Sequence, residues 1–156
     1  MKTGKIFQVS WTTIKRAKQL AGDNLASIVV SFIANTRELN QALIGGFAVL
    51  PDEVNVIISP KGNHSCEAVT RYIKRASERL INRELNRTGE VWDPAVHEIH
   101  IKDEAALSEA VRKIEYLPCK YGIVKYPSEY KHSSANRDFV KDDLSDLFLP
   151  QHQAGN

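Results

Sequence analysis

Two oxygen-bearing side chains two residues apart, Glu53 and Asn55, interrupt the run Glu53-Val54-Asn55-Val56-Ile57-Ile58. The alternation is that of a strand, so Val54, Val56 and Ile58 share one face and Glu53, Asn55 and Ile57 the other. Same-face neighbours on a strand lie roughly 7 Å apart, near enough for a carboxylate and an amide oxygen to hold one hard cation such as Mg2+. The competing reading is a polar surface pair, because two ligands do not complete a site. A second pattern is cationic. Arg71, Arg75, Arg79, Arg83 and Arg87 recur every fourth residue, with Lys74 beside them. On a helix this spacing draws a slowly turning stripe suited to tracking phosphates. Glu67, Glu78 and Glu84 interleave with it, so a salt-bridged solvent face is the alternative. Tyr121, Tyr126 and Tyr130 alternate with Lys120, Lys125 and Lys131, either to stack unpaired bases or to pack the C-terminal segment. The histidines offer less. His97 and His100 fall on opposite faces of a strand and cannot chelate one metal; His97, sharing a face with Ile99 and Ile101, reads as a core-edge residue. His64 and Cys66 lack an acid partner for a nucleophile triad.

The chain that must position these groups has 156 residues, 42% hydrophobic and 26% charged, the range of an ordinary one-domain globular protein. Disordered, collagen-like and membrane-bundle classes are excluded, and no apolar run approaches a bilayer span. With no secretory signal and only Cys66 and Cys119, the expected setting is the reducing cytoplasm. The net charge of +2 hides an asymmetry. Lys2, Lys5, Lys15, Arg16 and Lys18 precede the first acid, while four aspartates crowd residues 137–156. A basic front suggests a polyanionic partner.

Periodicity assigns the elements. Phe7, Val9 and Trp11 alternate as a strand. Leu25, Ile28, Val29, Phe32, Ile33 and Leu39 follow helical spacing, with Asp23 or Asn24 as N-cap. Strands 42–50 and 53–59 meet at Pro51-Asp52 as a hairpin, with a break at Gly45-Gly46. Ser65 caps a second helix reaching about Leu85, with Val69, Ile73, Ala76 and Leu80 inward. A strand covers 96–101. A third helix begins near Asp103, buries Leu107, Ala110, Val111 and Ile114, and ends at Pro118. The order predicts an α+β, ferredoxin-like β-α-β-β-α-β domain: a four-stranded antiparallel sheet with two helices on one face, plus an additional C-terminal helix. Residues 1–136 form the expected domain and 137–156 an acidic tail, its last seven residues frayed.

Several segments, in order, carry a family resemblance. Gly46-Phe47-Ala48-Val49-Leu50-Pro51-Asp52-Glu53-Val54-Asn55 resembles the apolar strand, Met-Pro-Asn and His-apolar-His segment of REP-associated tyrosine transposases. Ile73-Lys74-Arg75 resembles that family's Leu-Lys-Arg helix, and Gly89-Glu90-Val91-Trp92 its Gly-x-x-Trp. Glu115 to Val124, with Pro118 and Gly122, is similar to its Asn-Pro-x-x-x-Gly-Leu-Val segment. Tyr130-Lys131-His132-Ser133-Ser134 is similar to its aromatic-x-x-Ser-Ser close. The resemblance spans about residues 40–136 and implies a transposase-like fold that binds hairpin or single-stranded DNA.

It also implies a site emptied of its reaction. The paired metal-binding histidines fall on Glu53 and Asn55, the nucleophilic tyrosine on Lys113, and the helix-borne asparagine on Leu117. A protonated amine cannot form the phosphotyrosine link, and Leu117 neither donates nor accepts. The leading expectation is therefore a DNA-binding protein using Arg71, Lys74, Arg75, Arg79 and Arg83, with strand cleavage lost and no cofactor. The alternative is an active nuclease in which Glu53 and Asn55 hold Mg2+ or Mn2+ and Tyr116, one turn beyond Lys113, is a displaced nucleophile. A module that binds protein instead of DNA is a third. Monomer and homodimer both remain open.

Overall fold

The computed structural model describes residues 4–148, so the expectation of a frayed end falls outside the described residues. Strands β1 (Ile6–Thr12), β2 (Ala42–Leu50), β3 (Glu53–Pro60) and β4 (His97–Ile101) form one sheet in the order β2-β3-β1-β4. Every pairing is antiparallel. Helices α1 (Asp23–Glu38) and α2 (Cys66–Glu84) follow β1 and β3, and α3 (Glu104–Lys120) follows β4. This is the ferredoxin-like arrangement with an added helix, as the element order requires.

The sheet is buried on both faces, by different partners. Val9, Trp11, Val54, Val56 and Ile58 join Val29, Ile33, Ile73 and Ile81 beneath α1 and α2. Ile6, Ala48, Ile57 and Ile101 meet Leu107, Ala110 and Ile114 of α3. The Gly45-Gly46 break is a β-bulge: the register slips between Ile44 and Gly46, so Ile44 and Phe47 both face the helix pair. Gly45 is also a close approach. A Cβ there would sit 2.7 Å from Leu144 Cδ1.

Three boundaries differ from the expectation. Gly22 is the N-cap of α1 and contributes no side-chain bond, while the Asp23 carboxylate turns to His132, 3.1 Å away. Leu39 lies beyond the helix, 54% exposed. The third helix runs past Pro118 to Lys120, because a proline so near the end removes one amide from a turn about to finish. The α2 stripe is also displaced. Thr70, Ser77 and Ile81 are buried, and Ala76 and Leu80 only partly. Ser77 tolerates burial by donating to Ile73 C=O at 2.6 Å and accepting from Trp92 Nε1 at 3.2 Å. The cap at Ser65 is as expected, accepting from the Ala68 amide at 3.0 Å.

The outer edge of β2 is closed by the segment after α3. Val49 N–H donates to His132 C=O at 2.9 Å, Ser134 N–H donates to Phe47 C=O at 3.0 Å, and the Tyr130 hydroxyl donates to Val49 C=O at 2.7 Å. Tyr130 is therefore a packing residue. Further along, Phe139 stacks edge-on against Phe47 and Leu144 is buried under α3. Phe139, Asp142 and Leu144 thus tie this acidic segment to the rest of the domain, so it is not a separate tail; residues 149–156 lie outside the described residues. At the other edge, His97 and Ile99 share a face with buried Ile101 but are exposed, because α3 lies mainly over β2 and β3 and reaches β4 only at Ile101. His97 is therefore a surface residue, not a core-edge one.

Cys66 is buried, and desolvation, followed by the charge of Glu98, pushes its thiol up to about 12. The native protein should show one reactive thiol, Cys119, to an aromatic disulfide reagent. Two thiols titrating before unfolding would contradict this packing.

Candidate nucleic-acid interface

The basic stripe lies on the outer face of α2. Counting 100° per residue from buried Ile73, Arg71, Arg75, Arg79 and Arg83 point away from the sheet and drift about 40° per step. All four are exposed. Of the three interleaved acids, Glu67 approaches Arg71 at 3.6 Å, a pair open to solvent. Glu78 turns inward, accepting from Val91 N–H at 2.6 Å and Trp92 N–H at 3.4 Å. Among the described residues, Arg75, Arg79 and Arg83 have no ion pair. The stripe is thus a set of mostly free guanidinium groups, and the salt-bridged alternative accounts only for Arg71.

Lys74 differs from them. Half-buried, it donates to Asp93 C=O at 3.1 Å, and desolvation holds its ammonium below the usual lysine range. Trp92 Nε1 donates to Lys74 C=O at 3.1 Å, and the Trp92 ring meets Trp11 edge-on at 6.0 Å. Gly89-x-x-Trp92 is therefore a brace that docks the segment before β4 onto α2. Between them opens a cleft of about 820 Å³, with Arg71, Lys74 and Arg75 on one wall and Glu98 and Val96 on the other. At the end of α2, Arg87 hydrogen-bonds Gln19, bringing the loop with exposed Lys15 and Lys18 against the stripe.

The oxygen pair lies on the opposite side of the sheet. Asn55 is buried, and its amide donates to Glu53 Oε2 at 3.0 Å. The second Glu53 oxygen accepts from Arg16 Nη2 at 3.4 Å, and Arg16 Nε donates to Asp52 Oδ2 at 3.2 Å. Tyr121, just past α3, lies within electrostatic reach. Burial, then the Glu53 charge, raises its phenol above the ordinary value. Two carboxylates against one guanidinium leave a net negative charge, a poor seat for a phosphate.

The structure does not bring Tyr116 to this cluster. It stands two residues, about 200°, beyond buried Ile114 and is 52% exposed. Lys113 is also at the surface, 3.5 Å from Glu109, and Leu117 is half-buried. Arg16, Asp52 and Tyr121 are the neighbours that strand spacing did not identify. Only the adjacency of Asp52 to Glu53 signalled any of them.

Comparison with solved structures bears on the fold. One solved structure, a REP-associated tyrosine transposase bound to a REP hairpin, superposes with a TM-score of 0.69 and 21% identity. The match covers 96% of this chain and 84% of that one. The fold is that of a transposase. A candidate transposase from Deinococcus radiodurans R1 superposes with a TM-score of 0.53 at 20% identity, over 74% of this chain and 96% of that one. Neither a family model nor a curated protein matches the sequence. No helix among the described residues is long and apolar enough to cross a membrane.

The transposase frame implies a divalent metal at Glu53 and Asn55, and these residues do not fit one. The amide face of Asn55 is turned to Glu53, and both Glu53 oxygens already accept. Among the described residues, no three His, Cys, Asp or Glu converge as ligands. An imidazole pair would offer two neutral nitrogen ligands; here the carboxylate is engaged by Arg16 and Asn55, and one amide oxygen is left beside it.

Proposed function

We propose that this chain is a transposase-like DNA-binding protein that grips hairpin or single-stranded DNA and does not cut it. The observation that carries the reading is the row of unpaired arginines on α2, in a fold shared with a transposase bound to a REP hairpin. Arg75, Arg79 and Arg83 supply long-range attraction and phosphate contacts, and Arg71 can exchange its exposed carboxylate partner for a phosphate oxygen. Lys15 and Lys18 extend the same surface. Exposed Tyr126 can stack an unpaired base next to Lys125.

The opposite side of the sheet supports loss of cleavage. In-line attack on a phosphodiester needs an ionisable hydroxyl beside a positively polarised phosphate. Here Tyr116 points outward, and the cluster beside Tyr121 is net negative and repels a phosphate. Lys113 and Leu117 supply no nucleophile. No resident cofactor is needed for binding, and two free thiols suit a cytoplasmic protein.

Labelled hairpin DNA with a single-stranded flank tests the reading. Binding should be tight at low salt and fall steeply as salt rises, since released counterions drive it. No binding at low salt would refute the DNA reading and favour a protein-interaction module.

A further inference from the structure

We propose that Arg16 has taken the place of the metal ion, its guanidinium serving as the fixed cation of Asp52 and Glu53. The inference concerns the chain's own residues and stands whether or not the protein binds DNA. Arg16 Nε donates to Asp52 at 3.2 Å and Nη2 to Glu53 at 3.4 Å, while the remaining Glu53 oxygen accepts from Asn55 at 3.0 Å. Both Glu53 oxygens and Asp52 Oδ2 thereby accept from Arg16 or Asn55, which sets the guanidinium in competition with any divalent ion for the same carboxylates. Against the modest desolvation of its side chain, both carboxylates hold the Arg16 guanidinium in its charged form.

The backbone shows how the arginine reaches this position. Lys15 and Arg16 both adopt left-handed conformations, with φ of 55° and 53°. Two consecutive non-glycine residues in that region are unfavourable unless the surroundings hold them. The loop is fixed at several points. Thr13 N–H donates to Asp52 C=O at 3.0 Å, Leu20 N–H to Pro51 C=O at 2.9 Å, and Ile14 N–H to Val91 C=O at 2.9 Å. The Thr13 hydroxyl closes it by donating to Ala17 C=O at 2.6 Å. Bonds to Pro51 and Asp52 place the loop against the β2–β3 turn, so the Arg16 side chain lands beside Glu53.

A guanidinium and a divalent cation differ in what they allow. The guanidinium presents donors in a fixed plane, matches two carboxylates at fork spacing, and has no vacant coordination position for a phosphate oxygen. It neutralises part of the acid pair without becoming a Lewis acid. The frame therefore carries a half-exposed cation of its own beside the acid pair, and its metal affinity is suppressed by competition.

Manganese alone tests this, through the paramagnetic resonance of free Mn2+ and through nuclear magnetic resonance of the Arg16 Nε–H and Asn55 amide signals. In the wild-type chain, millimolar Mn2+ should remain free and broaden neither signal. Arg16→Met should gain a site with at least tenfold higher Mn2+ affinity, which Glu53→Gln in the same background removes. Arg16→Lys, which keeps a cation, should stay close to wild type. Wild-type binding that broadens Asn55 at submillimolar Mn2+ and disappears in Glu53→Gln would overturn the proposal. So would a folded Arg16→Met with unchanged affinity. If Arg16→Met does not fold, the wild-type broadening experiment still decides.

Discussion

Replacing Arg75 and Arg79 together by glutamate should weaken hairpin-DNA binding by roughly 30- to 100-fold at moderate salt. Each arginine is exposed on the outer face of α2 and free of an ion pair, so its full charge is available to a phosphate. Losing a phosphate contact lowers the slope of log affinity against log salt by about one, and reversal adds repulsion to the loss. The double variant should therefore bind more weakly and with a shallower salt dependence. Neither site touches the core, so thermal stability should hold. Charge reversal at Lys113, on the outer side of α3 and paired with Glu109, is the control and should leave affinity near wild type. Fluorescence anisotropy at several salt concentrations reads both quantities. Unchanged affinity in the Arg75/Arg79 variant would remove α2 from the binding surface.

Asp142→Ala should cost roughly 3 kcal/mol of folding stability, the largest single-site effect expected outside the apolar core. Its carboxylate accepts from Arg37 Nε at 2.8 Å and Nη2 at 3.0 Å, and from the Ile44 amide at 2.8 Å. One side chain thus fastens the segment after α3 to both α1 and the bulged strand β2. Removing it leaves a partly buried guanidinium and an edge amide without partners. The effect is pH-dependent. Burial alone would raise the Asp142 carboxyl, but the Arg37 and Ile44 hydrogen bonds outweigh it and hold the group below the usual aspartate range. A carboxyl with a depressed folded-state pKa contributes fully above its unfolded value and loses that contribution as pH falls through the folded value. The difference between wild type and Asp142→Ala in urea unfolding should be large at pH 7 and shrink below about pH 4. An equal difference at pH 7 and pH 3 would show that the carboxylate's charge is not the source.

Much of the fold was legible because periodicity reports burial directly. Val54, Val56 and Ile58 alternate with Ile57, and the two sets enter different cores as the strand pattern demands. Ser65 and Asp103 cap helices where their hydroxyl and carboxylate reach an amide three residues on. Burial that depends on hydrogen bonding was not legible. Ser77 looks like a surface residue until Trp92 arrives from a later segment to bond it. The role of Tyr130 likewise depends on a strand edge 81 positions earlier. At the oxygen pair, spacing placed Glu53 and Asn55 on one face, and they do touch. Arg16 was hidden because a left-handed loop, not a periodic element, carries it there.

The central claim, that the transposase frame holds DNA without severing it, is tested most directly by one denaturing gel. Labelled hairpin DNA with a single-stranded flank is incubated with the protein and Mn2+, then denatured and resolved. The account predicts intact DNA and no protein-linked band, although the same mixture forms a complex under native conditions. A protein-linked band that requires Mn2+ and disappears in Tyr116→Phe or Tyr121→Phe would contradict it.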